Sequence, residues 1–162
     1  MSIVKSVMQT NLVTTSPDNT VSEVAEKMKE YKLGAILLVD NDGLFGIFTE
    51  RDLLNRVVAE GKDPASTKVS EVATKDPIVV RENAHIKDCA LILKNEGFRH
   101  LPVVNEDNAH VGIVSSRDFF QYMTDELENV IDKIRTSGDP IQEDFDIYEL
   151  VGGGGYGIPP GR

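Results

Sequence analysis

The sequence predicts an α/β (α+β) fold: two β-α-β-β-α repeats packed with pseudo-twofold symmetry, followed by an acidic, Gly-rich C-terminal tail. Three observations carry this. Gly46-Ile47-Phe48-Thr49-Glu50-Arg51-Asp52 recurs as Gly112-Ile113-Val114-Ser115-Ser116-Arg117-Asp118 at an offset of 66 (46 to 112, 52 to 118). Shorter matches run in the same order: Ser6-Val7-Met8 with Glu71-Val72-Ala73, Val21–Ala25 with Ile86–Ala90, and Leu37–Asp40 with Pro102–Asn105. In both halves, strand-like apolar runs alternate with stretches whose apolar residues recur every three to four positions. Such a repeat is a structural unit, and two of them can bury the faces that neither covers alone.

The elements of the first repeat follow in order. Leu12–Thr15 is a short β-prone piece, and Ser16-Pro17-Asp18-Asn19 is a polar turn. Thr20-x-x-Glu23 forms a capping box, and Val21, Val24, Ala25 and Met28 line one face of the helix that it starts. Leu33-Gly34 ends that helix. Ala35–Val39 is continuously apolar, as expected of a strand covered on both faces. Asn41-Asp42-Gly43 turns the chain into a returning strand, Leu44–Phe48. A second helix spans Glu50–Glu60 and closes at Gly61. The second repeat has its turn at Glu106-Asp107-Asn108 and its last helix from Ser116 to about Arg135. The expected divisions are 1–61 for repeat 1, 62–68 for a linker, 69–135 for repeat 2 with its helix, and 136–162 for the tail.

With 162 residues, 40% of them hydrophobic, the chain can form a compact core. Its net charge of −10 argues against nucleic acid and against an anionic membrane surface, while leaving room for a local basic pocket. No apolar run is long enough to span a bilayer and no secretory signal is visible, so a cytoplasmic location is expected. Cys89 is the single cysteine, which excludes an intramolecular disulfide; it reads as a small buried helix residue. His85, His100 and His110 lack metal-ligand spacing, so no metal site is expected. No Ser/His/Asp set is indicated either, and the chain is read as a non-enzyme.

The repeated corner has two readings. Thr49-x-x-Asp52 and Ser115-x-x-Asp118 match a capping box, and Gly46 and Gly112 could serve close packing alone. Against this, an Arg (Arg51, Arg117) stands at the same place in both copies, which a cap does not require. Free N–H groups at a helix start together with an Arg suit phosphate. An Asp one turn inside can accept hydrogen bonds from a vicinal diol such as ribose, and nearby apolar strand residues can hold a flat base. Together these favour a nucleoside phosphate.

In their order and duplication, these motifs resemble a tandem pair of CBS (cystathionine β-synthase-type) domains, a Bateman module. The resemblance rests on Ser6-Val7-Met8, Leu37-Leu38-Val39-Asp40-x-x-Gly43, Gly46-x-x-Thr49-x-x-Asp52, Leu101-Pro102-Val103-Val104 and Gly112-x-x-Ser115-x-x-Asp118, and covers roughly Ser2 to Met123. It implies a regulatory module that binds an adenosine nucleotide (AMP, ADP or ATP) between the repeats, forms a flat, disc-like homodimer and modulates a partner protein. It further implies that Asp52 and Asp118 hold ribose hydroxyls and that Thr49 and Ser115 contact ribose or phosphate. Arg51 and Arg117 would lie beside phosphate, with Ile47 and Ile113 against adenine. Thr14 joins the candidate set. The segment leading into the middle strand contributes Arg99 and His100 in the second repeat but only Gly34 and Ala35 in the first. Arg99 and His100 are therefore expected to support the Asp118 site, with Gly34–Ala35 as its apolar wall, and to make it the stronger of two unequal sites.

The tail carries Asp139, Glu143, Asp144, Asp146 and Glu149 among apolar residues, then a Gly-rich end. Gly152, Gly154 and Gly157 satisfy G-x-G-x-x-G, yet no room remains for the helix that a dinucleotide site requires. The alternative overall reading is a ligand-free dimerisation scaffold whose tail binds a partner.

Overall fold

A computed structural model describes residues 2–137. The expected acidic and Gly-rich stretch from Gly138 onward lies outside the described residues. Two compact units are distinguished, Met1–Tyr122 and Met123–Arg162. The first holds both sheets.

Each repeat opens with a short strand, crosses over through a helix, and returns as a parallel neighbour followed by a hairpin. In the first repeat these are β1 (Thr14–Thr15), α1 (Val21–Tyr31), β2 (Ala35–Asp40) and β3 (Gly43–Thr49). The second repeat matches them with β5 (Val80–Arg81), α3 (Ile86–Glu96), β6 (His100–Val104) and β7 (His110–Ser115). β1 pairs parallel with β2, and β5 with β6, while β2–β3 and β6–β7 are antiparallel. The capping box at Thr20 is present: Thr20 N–H donates to Glu23 Oε2 at 2.7 Å, and Glu23 N–H to Thr20 Oγ1 at 3.3 Å. α1 ends at Lys32, which takes the left-handed conformation (φ 55°) just before Leu33-Gly34.

The helix after β3 departs from expectation. α2 is α-helical over Glu50–Asp52 and then widens into a π-helical turn over Leu53–Val58. Its main-chain bonds there span five residues, as in Ala59 N–H to Leu54 O and Lys62 N–H to Val57 O. The corresponding helix of the second repeat, α4 (Ser116–Ser137), is α-helical throughout.

β2 shows why its apolar run is continuous. Ile36 and Leu38 face α1 and pack with Val21, Val24, Met28 and Phe48. Ala35 and Leu37 point to the opposite face, where they meet Ile47, with Ile113 of the second repeat packed against them. Strand alternation thus feeds two clusters, one within the repeat and one between repeats. Cys89 is buried in the second repeat's own core with Leu93, Leu101, Val103 and Val114, and burial pushes its thiol up to about 11. It therefore stays protonated and behaves as an apolar residue near neutrality.

The repeats exchange their leading segments. Val69, Val72 and Ala73, which begin the second repeat, complete the core of the first. β4 (Thr74–Lys75) then adds a fourth strand beside β3, pairing Thr74 with Ile47 and Lys75 with Gly46. In the mirror arrangement, Val4 is fully buried in the core of the second repeat, and Gln9 pairs with Ile113 at the edge of β7.

The exchange accounts for both repeated glycines. A Cβ on Gly46 would stand 2.6 Å from the Thr74 carbonyl oxygen, and one on Gly112 would stand 2.6 Å from Met8 Sδ and 3.1 Å from Gln9 O. The group that approaches each glycine is the exchanged segment. Gly46→Ala is expected to cost about 1–3 kcal/mol in urea unfolding, because the obstructing atom is main chain. Gly112→Ala should cost less, since the Met8 thioether can rotate away. Equal losses would contradict this assignment.

Candidate functional site

Both corners fold as caps. Thr49 N–H and Oγ1 donate to Asp52 Oδ2 at 2.9 and 2.7 Å, and Asp52 N–H returns a bond to Thr49 Oγ1 at 3.2 Å. Ser115 N–H and Oγ donate to Asp118 Oδ2 at 2.8 and 2.5 Å, and Asp118 N–H donates to Ser115 Oγ at 3.2 Å. One carboxylate oxygen in each corner is therefore committed to the helix start. The other oxygens differ. Asp52 Oδ1 lies 3.4 Å from Arg56 Nε, whereas Asp118 Oδ1 accepts from Gln9 Nε2 at 2.9 Å.

Each corner is tied to the segment that leads into its own repeat's middle strand. Glu50 N–H donates to Gly34 O at 3.1 Å and Ser116 N–H to Arg99 O at 2.9 Å. A cavity of about 220 Å³ opens beside the first corner. Its wall includes Gly34, Ile47, Thr49, Arg51, Asp52 and Arg56 from the first repeat, Thr74 from the exchanged strand, and Phe98, Arg99 and His100 from the second repeat. The main chain of Arg99 thus holds the start of α4, while Arg99 and His100 line the cavity that contains Asp52. The sequence groups those two residues with Asp118, whose carboxylate does act on His100.

Asp52 is only 9% exposed, while Arg51 and Arg99 lie at the surface. Arg51, Arg56 and Arg99 share the cavity wall with Glu50, Asp52 and Glu96, so the lining balances its charges in a chain of net charge −10. Arg51 has a structural task as well: its Nη1 donates to Gly97 O at 3.1 Å. Gly97 is the left-handed C-cap of α3 (φ 66°), so the guanidinium meets the negative end of that helix. Arg56 Nη1 donates to Val72 O at 3.0 Å, which ties the π-helical turn to the exchanged segment.

His100 sits where the two repeats touch. A Cβ built on Gly34 would lie 3.3 Å from its Cε1 and 3.4 Å from its Nε2, so only glycine fits there without displacing the ring. Burial holds its pKa below the usual histidine value; Asp118 and Glu50 pull the other way, and Arg99 adds to the lowering. Nδ1 is buried and has no hydrogen-bond partner among the described residues.

Ile47 and Ile113 meet in the cluster between repeats, with Ala35 buried beside them. Thr14 pairs with Leu37, and its carbonyl accepts from Lys27 Nζ at 2.7 Å. Ser115 and Asp118 are half-buried at the second corner, and Arg117 is exposed. The sequence reading missed Gln9, Arg56 and Thr74. A signal for two of them existed: Gln9 directly follows Ser6-Val7-Met8, and Thr74 directly follows Glu71-Val72-Ala73.

Among the described residues, no group of three or more His, Cys, Asp or Glu side chains could hold a metal ion. No helix among them is long and apolar enough to cross a membrane.

The CBS domain family model matches the chain twice, over residues 4–59 and 69–125. The CBS domain-containing protein YhcV of Bacillus subtilis is 37% identical over 118 residues, 73% of this chain and 83% of that protein. A solved CBS-domain protein from Agrobacterium tumefaciens is 32% identical with a TM-score of 0.69, covering 75% of this chain and 98% of that one. A CBS domain protein from Pyrobaculum aerophilum, solved in complex with AMP, is 26% identical with a TM-score of 0.67, covering 72% of this chain and 89% of that one. The chain belongs to the CBS domain family and carries two such domains as a tandem pair, a Bateman module.

Proposed function

We propose that this chain is a regulatory, non-catalytic module that binds an adenosine nucleotide in the cavity beside Asp52. The observation that carries this reading is the convergence of Thr49 and Asp52 with Arg51, Arg56, Arg99 and His100 around one cavity. Asp52 would accept from ribose hydroxyls, the three arginines would take phosphate, and Ile47 and Phe98 would flank the base. The AMP complex of the Pyrobaculum aerophilum relative supports the ligand class. The second corner, with Asp118, Ser115, Arg117 and Ile113, is a second candidate site of the same design.

Binding would bias the packing of the repeats, and a partner protein would read the change. A homodimer belongs to the same reading. The outer face of the helix after β3 supports it: Leu54 and Val58 are 60% and 64% exposed, one turn apart.

A ligand-free scaffold is the second reading. It is favoured by the closed hydrogen bonding of both caps and by the bond from Arg51 to Gly97. Calorimetric titration of the full chain with AMP, ADP and ATP separates the two. The sensor predicts saturable heat with at least one of them, and no heat from any would favour the scaffold.

A further inference from the structure

Residues 9 and 74 occupy the same place in the two exchanged segments. Thr74 pairs with Ile47 on β3, and Gln9 pairs with Ile113 on β7. Gln9 is held by its main chain on both sides: its N–H donates to Ile113 O at 2.8 Å, and Ile113 N–H donates to Gln9 O at 3.0 Å. From that anchor its side-chain amide reaches Asp118 Oδ1 at 2.9 Å. Threonine has no amide and a shorter side chain. On the first sheet, Thr74 and Asp52 line the cavity together, and Asp52 Oδ1 lies 3.4 Å from Arg56 Nε.

We propose that Gln9 is a built-in occupant of the second corner, and that the residue at this edge position sets which corner accepts ligand. The amide of Gln9 donates to the oxygen that a ribose hydroxyl would otherwise use. A nucleotide entering the second corner must first displace it, whereas Thr74 presents no such competitor at the first. This proposal rests on the adenosine-nucleotide reading and adds a ranking to it: the Asp52 corner is the stronger site. Gln9 is exposed, so the amide can swing out, and the gate lowers affinity without abolishing binding.

AMP titration of the full chain tests the gate. In an Asp52→Asn background, where residual binding reports the second corner, Gln9→Thr is expected to tighten AMP by about tenfold, the equivalent of one lost hydrogen bond. Gln9→Asn, which shortens the amide arm by one methylene, should tighten it in the same direction and serves if Gln9→Thr folds poorly. In the otherwise unchanged chain, Thr74→Gln should weaken the stronger binding step by about tenfold. AMP binding that ignores all three substitutions overturns the gate and leaves the nucleotide reading standing. Absence of AMP binding by the unchanged chain and by the Gln9 variants overturns the nucleotide reading and the gate with it.

Discussion

Phe48→Ala is expected to lower the unfolding free energy by about 3–5 kcal/mol, the range for removing a large aromatic side chain from a packed interior. Phe48 is fully buried between α1 and the exchanged residues Val69 and Val72. Its loss leaves a cavity in the cluster that joins the first repeat to the leading segment of the second. Domains of this size are stable by only about 5–15 kcal/mol, so the variant should melt far below the unchanged chain or fail to fold. Val114, its counterpart 66 residues on, is smaller and equally buried, and Val114→Ala should cost less. Urea unfolding compares the two, and a larger loss at Val114 would contradict the placement of the main core.

The second large effect is on ligand affinity. Asp52→Asn is expected to weaken AMP binding by roughly 10- to 100-fold, since a hydrogen bond to a charged group is worth about 1.5–3 kcal/mol. The asparagine oxygen can still accept from Thr49, so the helix start survives. Asp52→Ala removes the cap as well and should add a stability loss of about 1 kcal/mol. Calorimetry and thermal melting on both variants separate the two roles. If Asp52→Ala destabilises the chain while Asp52→Asn binds AMP normally, Asp52 is a cap and no more.

Much of the fold is legible in the sequence because it is written twice. The run Ala35–Val39 announces a strand covered on both faces, and β2 divides it between two clusters as alternation requires. The exchange of leading segments is not legible. Similarity between Ser6-Val7-Met8 and Glu71-Val72-Ala73 shows that the two are equivalent but not which sheet each joins. For the same reason Gly46 and Gly112 could not be assigned from sequence. A close neighbour is implied in both cases, and it proves to be Thr74 main chain in one and Met8 with Gln9 in the other.

The site was legible in its residues more than in its grouping. Thr49, Asp52, Arg99 and His100 all stood out as polar groups at chemically useful spacings. Arg99 precedes β6 and His100 begins it, in the same repeat as Asp118, and nearness along the chain suggests that they serve that corner. The hydrogen bond from Ser116 to the Arg99 carbonyl and the pull of Asp118 on His100 agree with that nearness, while both residues also line the cavity of the first corner. Arg56 was hidden for a different reason: a regular helix was expected where the chain widens into a π-helical turn.

The most direct test of nucleotide binding at the Asp52 corner is the backbone amide NMR spectrum of the full chain as AMP is added. The resonances of Thr49, Asp52, Thr74, Arg99 and His100 are expected to shift at the lowest AMP concentrations, and those of Gln9, Ser115 and Asp118 only later. Early shifts confined to Gln9, Ser115 and Asp118, or no shifts in either corner, would contradict it.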